Sequence, residues 1–268
     1  MVGQEKLKQK IDNLIASRTF PRTLMLEGDK GCGKHLFSEI ISEKLNVHLQ
    51  DITESLNLET LTDISLRPEP FVYRIDCTVI SEREQNVILK FLEEPLKNAY
   101  IILLCESRYR LLPTVMNRCQ VFTFEQYSVS ELKSLVDYDV MPQILDYADT
   151  PGRLLDMLKS PIDKMLALSN QIFDSISRAS YSNILRIPDK LYYKEPVENK
   201  LDFSLFSYIL IRVARDKYVS RNIAKNVYDL TDTFYNNCSI PRIDKQRLFE
   251  HYIVELKLLL AGVIFDEI

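Results

Sequence analysis

Gly28-Asp29-Lys30-Gly31-Cys32-Gly33-Lys34-His35 is the stretch on which the reading of this chain turns. Before it, Thr23 to Leu26 is a short apolar run; after it, Leu36, Phe37, Ile40, Ile41 and Leu45 recur at helical spacing. A strand therefore runs into a glycine loop that opens a helix. Glycines 28 and 33 followed by Lys34 match the phosphate-binding pattern Gly-x4-Gly-Lys. In that pattern, glycines let successive backbone N–H groups face a phosphate, and the lysine ammonium reaches the β and γ oxygens. An ordinary glycine-rich turn would have to reproduce both the spacing and the strand-to-helix context by coincidence.

The residue after the lysine departs from the pattern. Most such loops place Ser or Thr there as a Mg²⁺ ligand, whereas this chain has His35, and a neutral imidazole is a poor partner for a hard cation. Further on, Asp76 ends the apolar run Phe71 to Ile75, the place for a metal-orienting acid. Residue 77 is Cys where a hydrolase of this type carries a water-polarising Glu. Gly28, Gly31, Gly33, Lys34, His35 and Asp76 are thus the nucleotide-binding candidates; Lys34 and Asp76 alone could still permit ATP or ADP to bind without turnover, and an unoccupied loop is the alternative. The plainer alternative for Asp76 is a cap on a neighbouring element.

Working outward, Leu7, Ile11, Leu14 and Ile15 predict a helix before Pro21, and Ser81 to Leu92 predicts another before Pro95. Phe71 to Ile75 and Tyr100 to Leu104 read as buried parallel strands, and Val121 to Phe124 as a further candidate strand. Alternating strands and helices over residues 1–124 predict an α/β domain with a doubly wound, mostly parallel sheet. Beyond Glu125 the alternation stops. Ser128 to about Leu158 predicts a small helical lid, residues 125–160, of two to four short helices. Residues 161–268 predict an all-α domain, broken at Pro188, Pro196 and Pro241, with amphipathic sets such as Leu205, Ile209 and Val213, or Leu248, Tyr252, Leu256 and Leu259.

Composition narrows the class. A hydrophobic share of 46% suits a soluble globular protein with sizeable cores, and a net charge of −4 provides no overall positive field for nucleic acid. Any DNA contact is expected to be local or shared with partners. The apolar runs Tyr100–Cys105 and Leu256–Ile264 are shorter than the roughly 20 residues of a membrane helix, and the charged N-terminal stretch does not read as a secretory signal. A cytoplasmic location without membrane contact is the expectation. Five scattered cysteines with no CxxC pair suggest neither a disulfide framework nor zinc.

Two further segments, Gln85-Asn86-x2-Leu89-Lys90-x-Leu92-Glu93-Glu94-Pro95 and Leu112-Pro113-Thr114-x2-Asn117-Arg118-Cys119, complete a resemblance. With the phosphate loop in that order, residues 2–124 resemble the AAA+ clamp-loader family. The weakened phosphate site and Thr150-Pro151-Gly152-Arg153 look most like its delta-prime branch in bacterial DNA polymerase III. The resemblance implies a subunit that helps load a ring-shaped sliding clamp onto primed DNA during replication. Its partners would be other loader subunits (delta and tau/gamma), with the clamp and primer-template DNA reached through the complex. The C-terminal domain would form a collar. Family members commonly carry Ser-Arg-Cys after the fourth strand, the arginine entering a neighbour's ATP site; Asn117-Arg118-Cys119 keeps that arginine, so the resemblance implies a finger role in trans for Arg118. A salt-bridged surface arginine is the alternative. Arg153 corresponds to a second nucleotide-sensing arginine. The four-cysteine zinc module of many relatives is missing, since residues 36–75 contain no cysteine.

Other residues carry plainer readings. Lys90, Glu93 and Glu94 read as a solvated helix end, with partner contacts as the functional alternative. His48 and His251 read as structural or surface residues, and Tyr192-Tyr193 as helix packing. Arg212, Arg215, Lys217 and Arg221 read as a solvated helix face or a subunit interface. Two rivals stand beside the non-hydrolysing scaffold. One is an active P-loop ATPase in which Glu82 replaces the missing acid; the other is a phage or mobile-element paralogue that binds host replication proteins.

Overall fold

The computed structural model describes residues 1–65, 67–93, 98–137, 139–176, 180, 183, 202–218, 224–238 and 243–261. It divides into two compact units, Met1–Leu154 and Leu155–Ile268. The first unit is built on five parallel strands, β1 (Thr23–Glu27), β2 (His48–Asp51), β3 (Phe71–Asp76), β4 (Ala99–Cys105) and β5 (Gln120–Thr123), in the order β2-β3-β4-β1-β5. Helices α1 (Glu5–Ala16) and α2 (Lys34–Leu45) cover one face, where Leu7, Ile11, Phe37 and Ile41 meet Leu24, Leu26, Ile102 and Leu104. Helices α3 (Leu58–Ser65), α4 (Glu82–Glu93) and the single turn α5 (Pro113–Met116) cover the other, where Ile64, Ile88 and Val115 meet Met25, Ile75 and Leu103. Burial on both faces explains why β1 and β4 read as unbroken apolar runs.

The expected α/β architecture is the observed one, with one correction. No element was assigned between residues 46 and 70, yet β2 and α3 lie there. β2 is a four-residue edge strand with none of its residues buried, and its ladder to β3 is long-range in sequence, so no apolar pattern announced it. α3 has only two buried side chains, Leu61 and Ile64, too few to impose a clear period.

Helices α6 (Val129–Lys133) and α7 (Pro142–Tyr147) complete the first unit, together with the opening turn of α8 (Pro151–Lys159). α6 starts in a capping box in which Ser128 and Glu131 satisfy each other's backbone N–H groups. Glu131 is held below the usual carboxylate range by those bonds from Ser128.

The second unit contains α9 (Ile162–Ser175), α10 (Phe203–Tyr218), α11 (Ala224–Cys238) and α12 (Lys245–Leu260). Its core is aromatic: Phe203, Phe206, Phe234, Phe249 and Tyr252 are buried in mutual contact, with Phe234 stacked on Tyr252 at 4.5 Å. The Tyr252 hydroxyl lies 3.2 Å from Thr231 Oγ1, so burial leaves its polar tip partnered. The basic residues of α10 join helices within this unit. Lys217 pairs with Asp174 at 2.5 Å, Arg215 with Asp232 at 3.5 Å, and Arg212 lies over the Tyr208 ring. Arg221, Tyr192, Tyr193, Pro188, Pro196 and Pro241 lie outside the described residues. No helix among the described residues is long and apolar enough to cross a membrane.

Candidate functional site

Parallel strands gather their C-terminal ends at one edge of the sheet, and the phosphate loop forms there between β1 and α2. Gly31 and Gly33 have φ of 82° and 97°, a region that side chains other than glycine seldom enter. Lys34 is buried and donates from Nζ to the carbonyls of Gly28 at 2.6 Å and Asp29 at 3.0 Å, tying the loop's two ends together. With the N-terminus of α2 behind it, this backbone fits a phosphate group.

The lid is seated on the outside of the same loop. Thr150 Oγ1 donates to Lys30 O at 2.9 Å, Gly152 N to Gly31 O at 2.9 Å, and the Tyr127 hydroxyl to Cys32 O at 2.6 Å. A Cβ on Gly152 would stand 2.6 Å from the Gly31 Cα, so this approach requires glycine on both strands of the contact. Arg153 follows directly, its Nη1 paired with Asp149 Oδ1 at 2.6 Å.

The groups that serve a metal and a water molecule in a hydrolase are arranged differently. His35 Nε2 lies 3.6 Å from Asp76 Oδ2, while Asp76 Oδ1 accepts from Thr78 N at 2.9 Å and Thr78 Oγ1 at 2.6 Å. Oδ1 is engaged by Thr78, and the residue facing Oδ2 is an imidazole, a poor partner for Mg²⁺, which prefers several oxygen ligands in octahedral geometry. Cys77 is buried in the core, where desolvation pushes its thiol above the ordinary value. His35 and Asp76 line a cleft of about 630 Å³ together with Asp51, Thr53, Glu54 and Val79. Glu82 is exposed in the first turn of α4.

Arg118 sits at the opposite edge of the sheet. It precedes β5, and its carbonyl accepts from the Oγ1 of Thr23, the first residue of β1, at 2.7 Å. Five residues of β1 separate that point from Gly28, roughly 16 Å of strand at ~3.3 Å per residue. A single arginine side chain does not span that distance. The guanidinium is held by Thr114 O at 2.8 Å from Nη1 and by Glu93 Oε1 at 2.6 Å from Nη2. Of the sequence-selected residues, then, the loop glycines, Lys34, His35, Asp76 and the 150–153 segment come together, and Arg118 stands apart.

One feature escaped sequence reading. Glu27, the last residue of β1, is buried and gripped by Arg108 through Nε, Nη2 and the backbone N–H, with Thr123 Oγ1 adding a bond at 3.0 Å. Those bonds from Arg108 hold its carboxyl below the usual range. The only local signal was an acid ending an apolar strand beside a glycine; its partner is 81 residues away. His48 is exposed near the Phe71 ring, and His251 lies 3.3 Å from Glu255. Glu94, Pro95 and the side chain of Lys90 lie outside what is described.

A family model described as DNA polymerase III, delta subunit, matches residues 74–128, a stretch that holds both Asp76 and Arg118. The chain is 30% identical over 103 residues to DNA polymerase III subunit delta' of Bacillus subtilis (strain 168), covering 38% of this chain and 29% of that protein. It is 25% identical over 200 residues to DNA polymerase III subunit delta' of Haemophilus influenzae, covering 66% of this chain and 60% of that one. The chain thus spans less than two thirds of the length of either relative. In fold it is similar to the crystal structure of a DNA polymerase III gamma subunit-related protein from Thermotoga maritima, with a TM-score of 0.53, 13% identity, and 92% and 98% of the two chains covered. The sequence likenesses fall on DNA polymerase III subunits, and the likeness to the solved structure is one of fold.

Proposed function

We propose that the chain is a non-hydrolysing clamp-loader subunit of the delta-prime kind, which helps load a sliding clamp onto primed DNA and presents Arg118 to the ATP site of an adjacent subunit. The observation that carries this reading is the placement of Arg118 at the sheet edge opposite its own phosphate loop. An arginine there has no access to a phosphate bound in the same chain, so under this reading the phosphate it serves belongs to a neighbour.

At its own loop, Lys34 and the α2 N-terminus provide positive groups for a nucleotide's phosphates, while His35, Asp76 and Cys77 provide neither an open metal position nor a base. ATP or ADP is held there without turnover, and Arg153 stands at the lid contact beside it. A bound nucleotide would supply negative charge that braces the loop against the lid. Partners under this reading are delta and tau/gamma-type subunits, with the clamp and primer-template DNA met through the complex in the cytoplasm. The domains are assigned as residues 1–124, 125–160 and 161–268, the last acting as the collar.

The test is the Arg118→Ala chain reconstituted with its sister loader subunits. An arginine finger contributes on the order of 10³-fold to hydrolysis, so DNA-stimulated ATPase of the complex is expected to fall by about that factor. Undiminished ATPase contradicts the finger role.

A further inference from the structure

We infer that Glu93 is a positioning residue for Arg118, orienting the guanidinium that the neighbouring ATP site receives; this rests on the finger reading above. Glu93 ends α4, whose buried face (Ile88, Phe91 and Leu92) fixes the helix against the sheet. The helix is also tied to the Arg118 turn directly, because buried Gln85 on α4 accepts the Leu112 N–H at 2.9 Å just before α5. Glu93 thus offers its carboxylate from a rigid element, and not from a loop that can drift.

Arg118 is restrained at three points. Its carbonyl is bonded to Thr23, its Nη1 to Thr114 O near the start of α5, and its Nη2 to Glu93 Oε1. Two different anchors on the two terminal nitrogens restrict rotation of the guanidinium and leave it further N–H donors. Without Glu93 the side chain keeps one anchor and regains rotation about its long stem. The carboxylate offsets part of the arginine's positive charge, which would weaken a finger that acted through charge alone. Orientation outweighs that loss, because transition-state stabilisation depends on donors already placed where charge develops.

The same pair explains why Glu93 is a clean target. Its side chain is 51% exposed and that of Arg118 33%. Exposed pairs contribute little to folding, so replacing Glu93 should leave the melting profile of the chain unchanged within a degree or two. The Gln85–Leu112 tie and the core under α4 do not depend on it.

The experiment uses the full chain reconstituted with its sister loader subunits, primed DNA and ATP. Glu93→Ala is expected to lower kcat of the complex about 5- to 10-fold with KM for ATP changed less than about 2-fold. Glu93→Gln, whose amide oxygen still accepts from Nη2, is expected to recover at least half of the wild-type kcat. Arg118→Ala serves as the reference, and Glu93→Ala on top of it is expected to add no further loss. If Arg118→Ala is fully active, the finger reading falls and the role of Glu93 with it. If Arg118→Ala is inactive while Glu93→Ala matches or exceeds wild type, only the positioning role is overturned. A Glu93→Ala defect that Gln does not recover, or that persists without Arg118, overturns it equally.

Discussion

The two edges of the parallel sheet carry unlike versions of the same chemistry. At the C-terminal edge the phosphate loop keeps its glycines and Lys34, yet His35 faces Asp76 and Cys77 is turned into the core. At the N-terminal edge Arg118 is anchored on two sides with its guanidinium at the surface. One edge keeps the glycine loop and its lysine beside a His35–Asp76 pair; the other holds an arginine about 16 Å of strand away from that loop. The difference teaches that the loop's geometry is braced from outside the loop, by Thr150, Gly152 and Tyr127, whatever side chains follow its lysine.

The contrast can be broken most forcefully at Cys77. Placing the missing acid there by Cys77→Glu would bury a carboxylate among Ile75, Cys105 and Val115, at a cost of at least ~3 kcal/mol. The expected result is a large drop in the urea midpoint with no hydrolysis gained; a stable, hydrolysing Cys77→Glu chain would mean the edge is one substitution from an active site. The lid contact comes next. Gly152→Ala puts a methyl 2.6 Å from the Gly31 backbone and should destabilise the first unit by about 2 kcal/mol, read as a lowered thermal midpoint.

Smallest is the effect at Glu27. Its folded pKa lies below the ordinary 4.5, so its contribution is fully present above that value and is lost as pH falls through the lower folded value. Glu27→Gln should cost about 1 kcal/mol at pH 7, discounted for the partial exposure of Arg108, and should flatten the acid limb of a pH–stability profile. An unchanged acid limb would remove Glu27 from the bracing of the phosphate-loop edge.

Much of this was legible from local sequence. Glycine spacing with a following helical face located the phosphate loop, and Phe71–Ile75 and Tyr100–Leu104 announced strands because both of their sheet faces are covered. What stayed hidden was held by contacts distant in sequence. Glu27 finds Arg108 across 81 residues, Gly31 meets Gly152 from the distant start of α8, and β2 exists only through its ladder to β3. Glu93 illustrates the same limit at shorter range. In sequence it is one of two acids before Pro95, and only the packing of α4 on α5 makes it the partner of Arg118.

The most direct measurement is steady-state phosphate release by the isolated chain with saturating ATP and Mg²⁺. An account that places the chemistry in a neighbouring subunit predicts no release above background, whether or not nucleotide stays bound. A rate above about 1 per second, typical of working enzymes, would contradict it.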